Sequence, residues 1–400
     1  MIEHGALPSR ARAATAPAAV FAVMLAGMVV LPAMRPLLAT RGAAEGAIHA
    51  FLSAGMFGAV LLVPVFGLAA DRGLGRRRTA LALLLVDALA ALACTAPMPL
   101  PALLALRFVE GAANVGALSL AMSLDASPHG RGMAARGAAM MGALVVGSPL
   151  GGLLVGLDAR APFYAAALAL VGAMLLVGLA PDAPREPTAR RAGVVDRPSV
   201  VVACAVSFAE RFSVGAFVVT FTLRAHGSLG MSDRAIGLAF AAMLVPFALA
   251  MYPVARFGAR LRRTTLVALG ATVYAAAFLG VATARGPALA LALALAGVAS
   301  ALLYAPALCW AAEGAPSGAR GTRMALFHAA GCLGMALGPA FAGVASATLR
   351  RAAIATDSRH ALVLALAGLA PLVASVVVSS RLQTLRAAEA RPYQGARGRQ

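Results

Sequence analysis

Lysine is absent from this 400-residue chain, and charge of either sign is scarce. Charged residues make up 12% of the sequence, and hydrophobic residues 61%. A soluble protein carries about 25% charged residues, so a water-exposed globular domain is excluded. The four cysteines, Cys94, Cys204, Cys309 and Cys332, lie in or beside apolar runs without paired ligand spacing. That excludes a disulfide framework and a cysteine metal site, and leaves small apolar filler. No phosphate-cradling glycine loop of the P-loop pattern is present, so the chain does not hydrolyse ATP to drive its work. The sequence carries no metal or nucleophile constellation either, and an enzyme is not expected.

What the sequence has instead is a series of apolar stretches of about 20 residues, each long enough to cross a hydrocarbon layer of roughly 30 Å. They are apolar all round rather than alternating, so they predict helices and not barrel strands. Twelve spans are expected, at 17–38, 47–70, 79–96, 101–124, 137–157, 162–180, 199–222, 235–255, 264–284, 287–312, 324–347 and 361–380. Most of the breaks carry proline, glycine or arginine, the ordinary turn signals. The first run follows Arg10 and Arg12 as a signal peptide would. It is too long for a signal core and reads as a retained helix.

The formal net charge is +19, all of the basic charge coming from arginine. Such an excess can mark a nucleic-acid binder. Here the arginines sit in short loops between apolar spans, the pattern of a topology signal. Twenty-three of the 34 lie on the side of the two termini and eight on the other, with Arg35, Arg107 and Arg211 inside spans. The bias places both termini in the cytoplasm. With no lysine and abundant alanine and glycine, the composition fits a GC-rich coding sequence, and a bacterial inner membrane is the expected location. The segment 181–198, PDAPREPTARRAGVVDRP, is rich in proline and charge and reads as a cytoplasmic linker. It divides the chain into a six-helix bundle at 1–180 and a second at 199–400 with a basic tail.

The two parts repeat. GLAADRGLGRRRT (67–79) is matched 185 residues later by RFGARLRRT (256–264). Arg131-Gly132 is followed by Gly142 as Arg320-Gly321 is followed by Gly331, and Gly147-Ser148-Pro149 and Gly152 are echoed by Gly338-Pro339 and Gly343. Landmarks in the same order at nearly the same offset predict two related bundles with a site between them near midplane.

The stretch from Gly67 to Arg78, placed between the second and third spans, resembles the signature loop of the major facilitator superfamily, roughly G-x-x-x-D-R-x-G-R-R. Asp71, Arg72, Gly73, Gly75, Arg76 and Arg77 fall on its positions. Arg107 to Gly111 resembles the family's fourth-helix motif R-x-x-Q-G, with Glu110 in place of glutamine. Gly142 to Gly152 resembles the antiporter motif G-P-x-x-G-G, with Ser148 inserted between Gly147 and Pro149. The resemblance implies an all-α membrane protein of twelve transmembrane helices in two pseudo-symmetric six-helix bundles. It also implies a gate: Asp71 against the N-terminus of the eleventh helix near Thr322, and the loop arginines against an acid at the end of the fourth helix, where Asp125 stands. Arg256 stands where Asp71 would repeat, so the latch is expected on one side only.

Charge inside the spans needs a reason, because an acid at the bilayer centre costs several kcal/mol unless paired or protonated. Glu210 and Arg211 lie near the centre of the seventh span. Neighbours on a helix point about 100° apart, so Glu210 is expected to face the cavity and Arg211 another partner; Glu210 serves either a fixed ion pair or a proton and substrate site. Arg107 and Glu110 share a helix face, as a local ion pair or, as the resemblance implies, in proton transfer. Asp87, in the third span, needs a partner from another helix, Arg35 or Arg107. Arg35 lies between Pro32 and Pro36 at an expected kink, in a gating or anion contact or snorkelling outward. His328 reads as a packed residue. Gly142, Gly147, Pro149, Gly151 and Gly152, with Gly338 and Pro339, are expected to bend helices and bring them close, the fifth helix against the eighth.

The reading is a monomeric secondary active transporter of a small solute in the lipid bilayer, working by alternating access with protons as coupling ion. No cofactor or metal is expected. Proton-driven efflux of amphipathic or drug-like compounds leads, with uptake of a metabolite, or a sensor or scaffold that moves nothing, as alternatives.

Overall fold

The computed structural model describes residues 9–39, 41, 46–124, 131–180, 198–257, 261–312 and 319–377. Asp125, the 181–197 segment and the basic tail lie outside them. The described residues form twelve long helices: α1 (Ser9–Val29), α2 (Gly46–Ala69), α3 (Arg76–Ala93), α4 (Leu100–Ser123), α5 (Arg131–Val155), α6 (Ala161–Leu179), α7 (Pro198–Gly227), α8 (Asp233–Phe257), α9 (Arg263–Thr283), α10 (Gly286–Ala312), α11 (Arg320–Arg351) and α12 (Thr356–Gly368). A turn at Leu369 leads from α12 into a last helical stretch ending at Val377. In eleven of these regions the apolar stretch is long enough to cross a membrane. The remaining helix, α3, has three arginines in its first turn and Asp87 farther along.

Several helices run past the ends expected from hydropathy. α5 starts at Arg131 rather than near 137, and α11 runs from Arg320 to Arg351 rather than 324–347. Hydropathy marks the part that meets lipid. The helix itself continues into water, where arginine is a good helix former. Beyond Val29 the first span breaks into a 3-10 turn, Leu31–Ala33, and a short helix, Met34–Ala39, so the kink falls where Pro32 and Pro36 place it.

The packing repeats between the halves. α1 packs on α4, α5 and α6 as α7 packs on α10, α11 and α12. α2 and α3 pack on α4 as α8 and α9 pack on α10, and α3 meets α6 as α9 meets α12. Across the seam, α2 lies on α11 and α5 on α8, two contacts that exchange under the same two-fold relation. The outer surface is apolar, with Leu153 74% and Leu168 73% exposed. Such a belt is stable only against lipid tails. The chain is a multi-pass integral membrane protein.

Glycines set the closest approaches. A methyl group at Gly151 would sit 2.1 Å from the Val29 carbonyl oxygen, and one at Gly147 would sit 2.5 Å from Met28 Cβ. At Gly338 it would be 2.2 Å from the Phe212 carbonyl oxygen. These glycines therefore seat α5 on α1 and α11 on α7, within each half. That corrects the expectation that the fifth helix's glycines serve its contact with α8. Gly142 has a neighbour, Phe21, only at 3.9 Å, and Gly152 faces open space. The glycine that does meet α8 is Gly137, where an added methyl would touch Met251. Pro149 and Pro339 lie inside unbroken helices.

Candidate functional site

Three groups of polar residues interrupt the apolar interior. The first lies at the turn between α2 and α3. The α2 helix widens over Ala70–Leu74, and Gly75 reverses the chain with φ 83°, a conformation that favours glycine. The turn presents Asp71 to the start of α11. Its carboxylate accepts the Thr322 N–H at 2.7 Å, the Thr322 hydroxyl at 2.9 Å and the Gly321 N–H at 3.2 Å. The first amides of a helix have no partner in their own helix and favour an anion. Arg76 donates to the same carboxylate at 2.9 Å. Arg77 instead reaches the Gly178 carbonyl at the end of α6, and Arg72 and Gly73 are exposed. With Asp125 outside the described residues, the arginine the structure places on an acid is Arg76, and the acid is Asp71. In the second half, Arg256 donates to the Tyr252 hydroxyl at 3.1 Å.

The second group lies in the middle of the first half. Arg107 pairs with Glu110 one turn on, stacks over the Phe51 ring at 5.3 Å, and lies where a side chain at Gly55 of α2 would be. Asp87 is buried and accepts from the Asn114 amide at 2.8 Å, and the same amide nitrogen reaches the Val23 carbonyl at 3.3 Å. The hydrogen-bond partner of Asp87 is thus Asn114 of α4, while Arg107, one of the two arginines expected for it, acts on it through space. A search for charge in the sequence passes over Asn114. The signal is there nonetheless: it is four residues beyond Glu110 and seven beyond Arg107, hence on one face of one helix. The side chain of Arg35 lies outside the described residues.

The third group lies in the second half. The carboxylate of Glu210 is fully buried, while the Arg211 side chain is 15% exposed. The two do meet, Arg211 Nε standing 3.3 Å from Glu210 Oε2, against the expectation that neighbours point apart. Long side chains reach back across the 100° that separates their Cα–Cβ bonds. The guanidinium also stacks over the Tyr304 ring at 5.0 Å. The Ser300 hydroxyl lies within reach of both the Glu210 carboxylate and the Tyr274 hydroxyl, in looser geometry than an ordinary hydrogen bond.

Contacts cross between the halves at both groups. His328 Nδ1 lies 2.9 Å from the Ser119 hydroxyl, and the Tyr304 hydroxyl lies 3.9 Å from Met140 Sδ. Far from them, at the end of α7, Arg224 is 2% exposed. It donates to Asp357 at 2.8 Å and to the Val281 carbonyl at 2.8 Å, tying α7 to α9 and α12. In the sequence Arg224 is one more loop arginine, because its partner lies 133 residues away.

The family model of the Major Facilitator Superfamily matches residues 18–203 and 200–391. No curated protein matches the sequence. Among solved structures, the human organic anion transporter MFSD10 (TETRAN) superposes with a TM-score of 0.75 at 20% identity, covering 92% of this chain and 100% of its own. A single-substitution variant of the E. coli fucose:proton symporter FucP gives a TM-score of 0.67 at 14% identity, covering 92% and 98%. FucP in the outward conformation gives 0.70 at 14%, again covering 92% and 98%. At those identities the likeness is one of fold. The family match spans nearly the whole sequence, and with it the chain belongs to the Major Facilitator Superfamily, a family of membrane transporters and not of enzymes.

Proposed function

We propose that the protein moves a small solute across the bilayer by alternating access and couples that movement to protons. One observation carries the reading: each half buries an acid beside an arginine at mid-membrane depth, Glu110 with Arg107 and Glu210 with Arg211. A membrane protein that moves nothing has no reason to bear the cost of these charges. Asp71 on the first turn of α11 supports a gate, because it joins the halves through the turn after α2 and a helix terminus, which can separate without unfolding a helix.

Efflux of amphipathic compounds against proton entry is supported by the resemblance of Gly142 to Gly152 to the antiporter motif. Uptake of a metabolite together with protons is the second reading. The setting of Glu210 favours it: the carboxylate is fully buried and Arg211 is the more exposed member of the pair, so a cationic solute would meet a like charge before it could displace the proton. The bacterial inner membrane, cytoplasmic termini and a monomer complete the proposal.

The test uses purified protein in vesicles with an imposed pH gradient and an entrapped pH dye, screened against amphipathic solutes and metabolites. Solute should move with the gradient, and solute added alone should move protons. The direction of dye response separates exchange from co-transport. Glu210→Gln should abolish gradient-driven movement and spare solute-for-solute exchange, since the neutral side chain mimics the protonated one. Glu110→Gln, which restores the residue usual in the fourth-helix motif, should be milder. Full gradient-driven transport in Glu210→Gln, with loss in Asp87→Asn or Glu110→Gln, would put the proton in the first half instead.

A further inference from the structure

We infer that Arg211 is an anion site at the seam between the halves, and that the solute binds there through a singly charged acid group, a carboxylate above all, by taking Arg211 away from Glu210. The inference rests on the second reading above, co-transport of solute and proton, and it names the solute's chemical class.

The two members of the pair face different surroundings. Glu210 is fully buried beside Ser300 of α10 and Tyr274 of α9, all within the second half. Arg211 is surrounded by second-half residues that themselves touch the first half. Its stacking partner Tyr304 reaches Met140 of α5. An added methyl on Gly331 of α11 would lie 3.3 Å from Arg211 Cγ. His328 and Cys332, both within electrostatic reach of Arg211, touch Ser119 of α4 and pack on the Ala59–Val63 surface of α2. A solute reaching the pair therefore meets the guanidinium, 15% exposed, before the fully buried carboxylate.

The existing pair leaves the guanidinium open to competition. An arginine and a carboxylate that suit each other make two parallel bonds near 2.8 Å. Here a single contact of 3.3 Å joins Nε to one carboxylate oxygen. An incoming carboxylate can take the planar fork with both oxygens. A cation is repelled by it, and a neutral solute gains little.

Removing Arg211 leaves Glu210 as a lone buried charge, which binds a proton rather than remain so. The protonated carboxyl then has acceptors at hand in the hydroxyls of Ser300 and Tyr274 beside it. One anion and one proton enter together and the net charge of the site does not change. The other titratable groups facing the pair are Tyr274 from α9, Tyr304 from α10, and His328 and Cys332 from α11. From α12 it is the Ala367 carbonyl that approaches α7, held by Ser213.

The test is binding in detergent, where no gradient is involved. Thermal unfolding is followed with a thiol-reactive dye, the buried native cysteines serving as reporters. The probes are size-matched aromatic and alkyl monocarboxylates, beginning with benzoate, each beside its amine and alcohol counterpart such as benzylammonium and benzyl alcohol. The acids should raise the unfolding temperature, more at mildly acidic than at neutral pH. Wild-type protein in unbuffered solution should take up protons when the acid is added. Glu210→Gln should keep the shift, lose its pH dependence and take up no protons. Arg211→Gln should lose the shift, and Arg211→Lys, which keeps the charge without the fork, should bind at least tenfold more weakly. Equal shifts from the amine or alcohol, no shift from any acid, or retained pH dependence in Glu210→Gln would each overturn the site. Intact acid binding with no gradient-driven transport would remove the coupling proposal and leave the site standing.

Discussion

At the residue scale, the protein shows how differently a motif and a lone charge can be read. Asp71 sits in a recognisable loop, and that context points to the start of α11 about 250 residues away, where its carboxylate is bonded. Asp87 has no such context. Nothing in LLLVDALAALA says which of several neighbouring helices answers it, and Asn114 escapes notice because an amide carries no charge to count. The pairing of Glu210 with Arg211 is hidden for another reason: helix geometry fixes Cβ directions, not where a four-bond side chain ends. Asp71 also offers the sharpest residue-level test. Asp71→Asn keeps the shape and can still accept from Thr322, but it loses the charge that suits both the helix terminus and Arg76. Transport should fall at least tenfold with expression little changed, a loss that needs only about 1.4 kcal/mol. Wild-type rates in that variant would reduce Asp71 to a topology charge.

At the element scale, the number and order of the helices are legible because each must be about 20 apolar residues long to bury its backbone in lipid. Their true ends are not, since the constraint stops at the membrane surface and helices such as α11 do not. The glycines are legible as packing residues, but not their partners: Gly147 faces α1 although helix periodicity alone allows any neighbour. Repetition supplies what periodicity lacks. α5 meets α1 at Gly151 as α11 meets α7 at Gly338, so the same contact is made twice by related sequence. Gly151→Ala and Gly338→Ala place a methyl within about 2 Å of a backbone oxygen, which cannot rotate away. Overpacking of this kind costs about 1–3 kcal/mol, and the unfolding temperature in detergent should drop for each. Gly152→Ala, one residue along and facing open space, should leave it unchanged or raise it slightly, because alanine is the better helix former by about 1 kcal/mol. Equal drops in all three would mean that helix flexibility, not close approach, is what these positions require.

At the scale of the whole molecule, the two-fold relation and the charge distribution make separate demands. The relation makes α2 on α11 and α5 on α8 equivalent contacts, yet Asp71 bonds across only the first of them, and Arg256 stands at the matching place in the second half. A symmetric frame thus carries an asymmetric polar contact, on the same end as most of the loop arginines. Which side of the membrane that end faces follows from the arginine bias alone, 23 against eight. The orientation is tested with single cysteines at exposed positions in a background stripped of the four native ones. Leu261→Cys, on the arginine-rich end, should resist an impermeant thiol reagent applied to intact cells and react once the membrane is opened. Leu157→Cys and Thr356→Cys, on the other end, should react at once. Labelling in the reverse sense would turn the protein over. The Asp71 contact would then lie at the outer face.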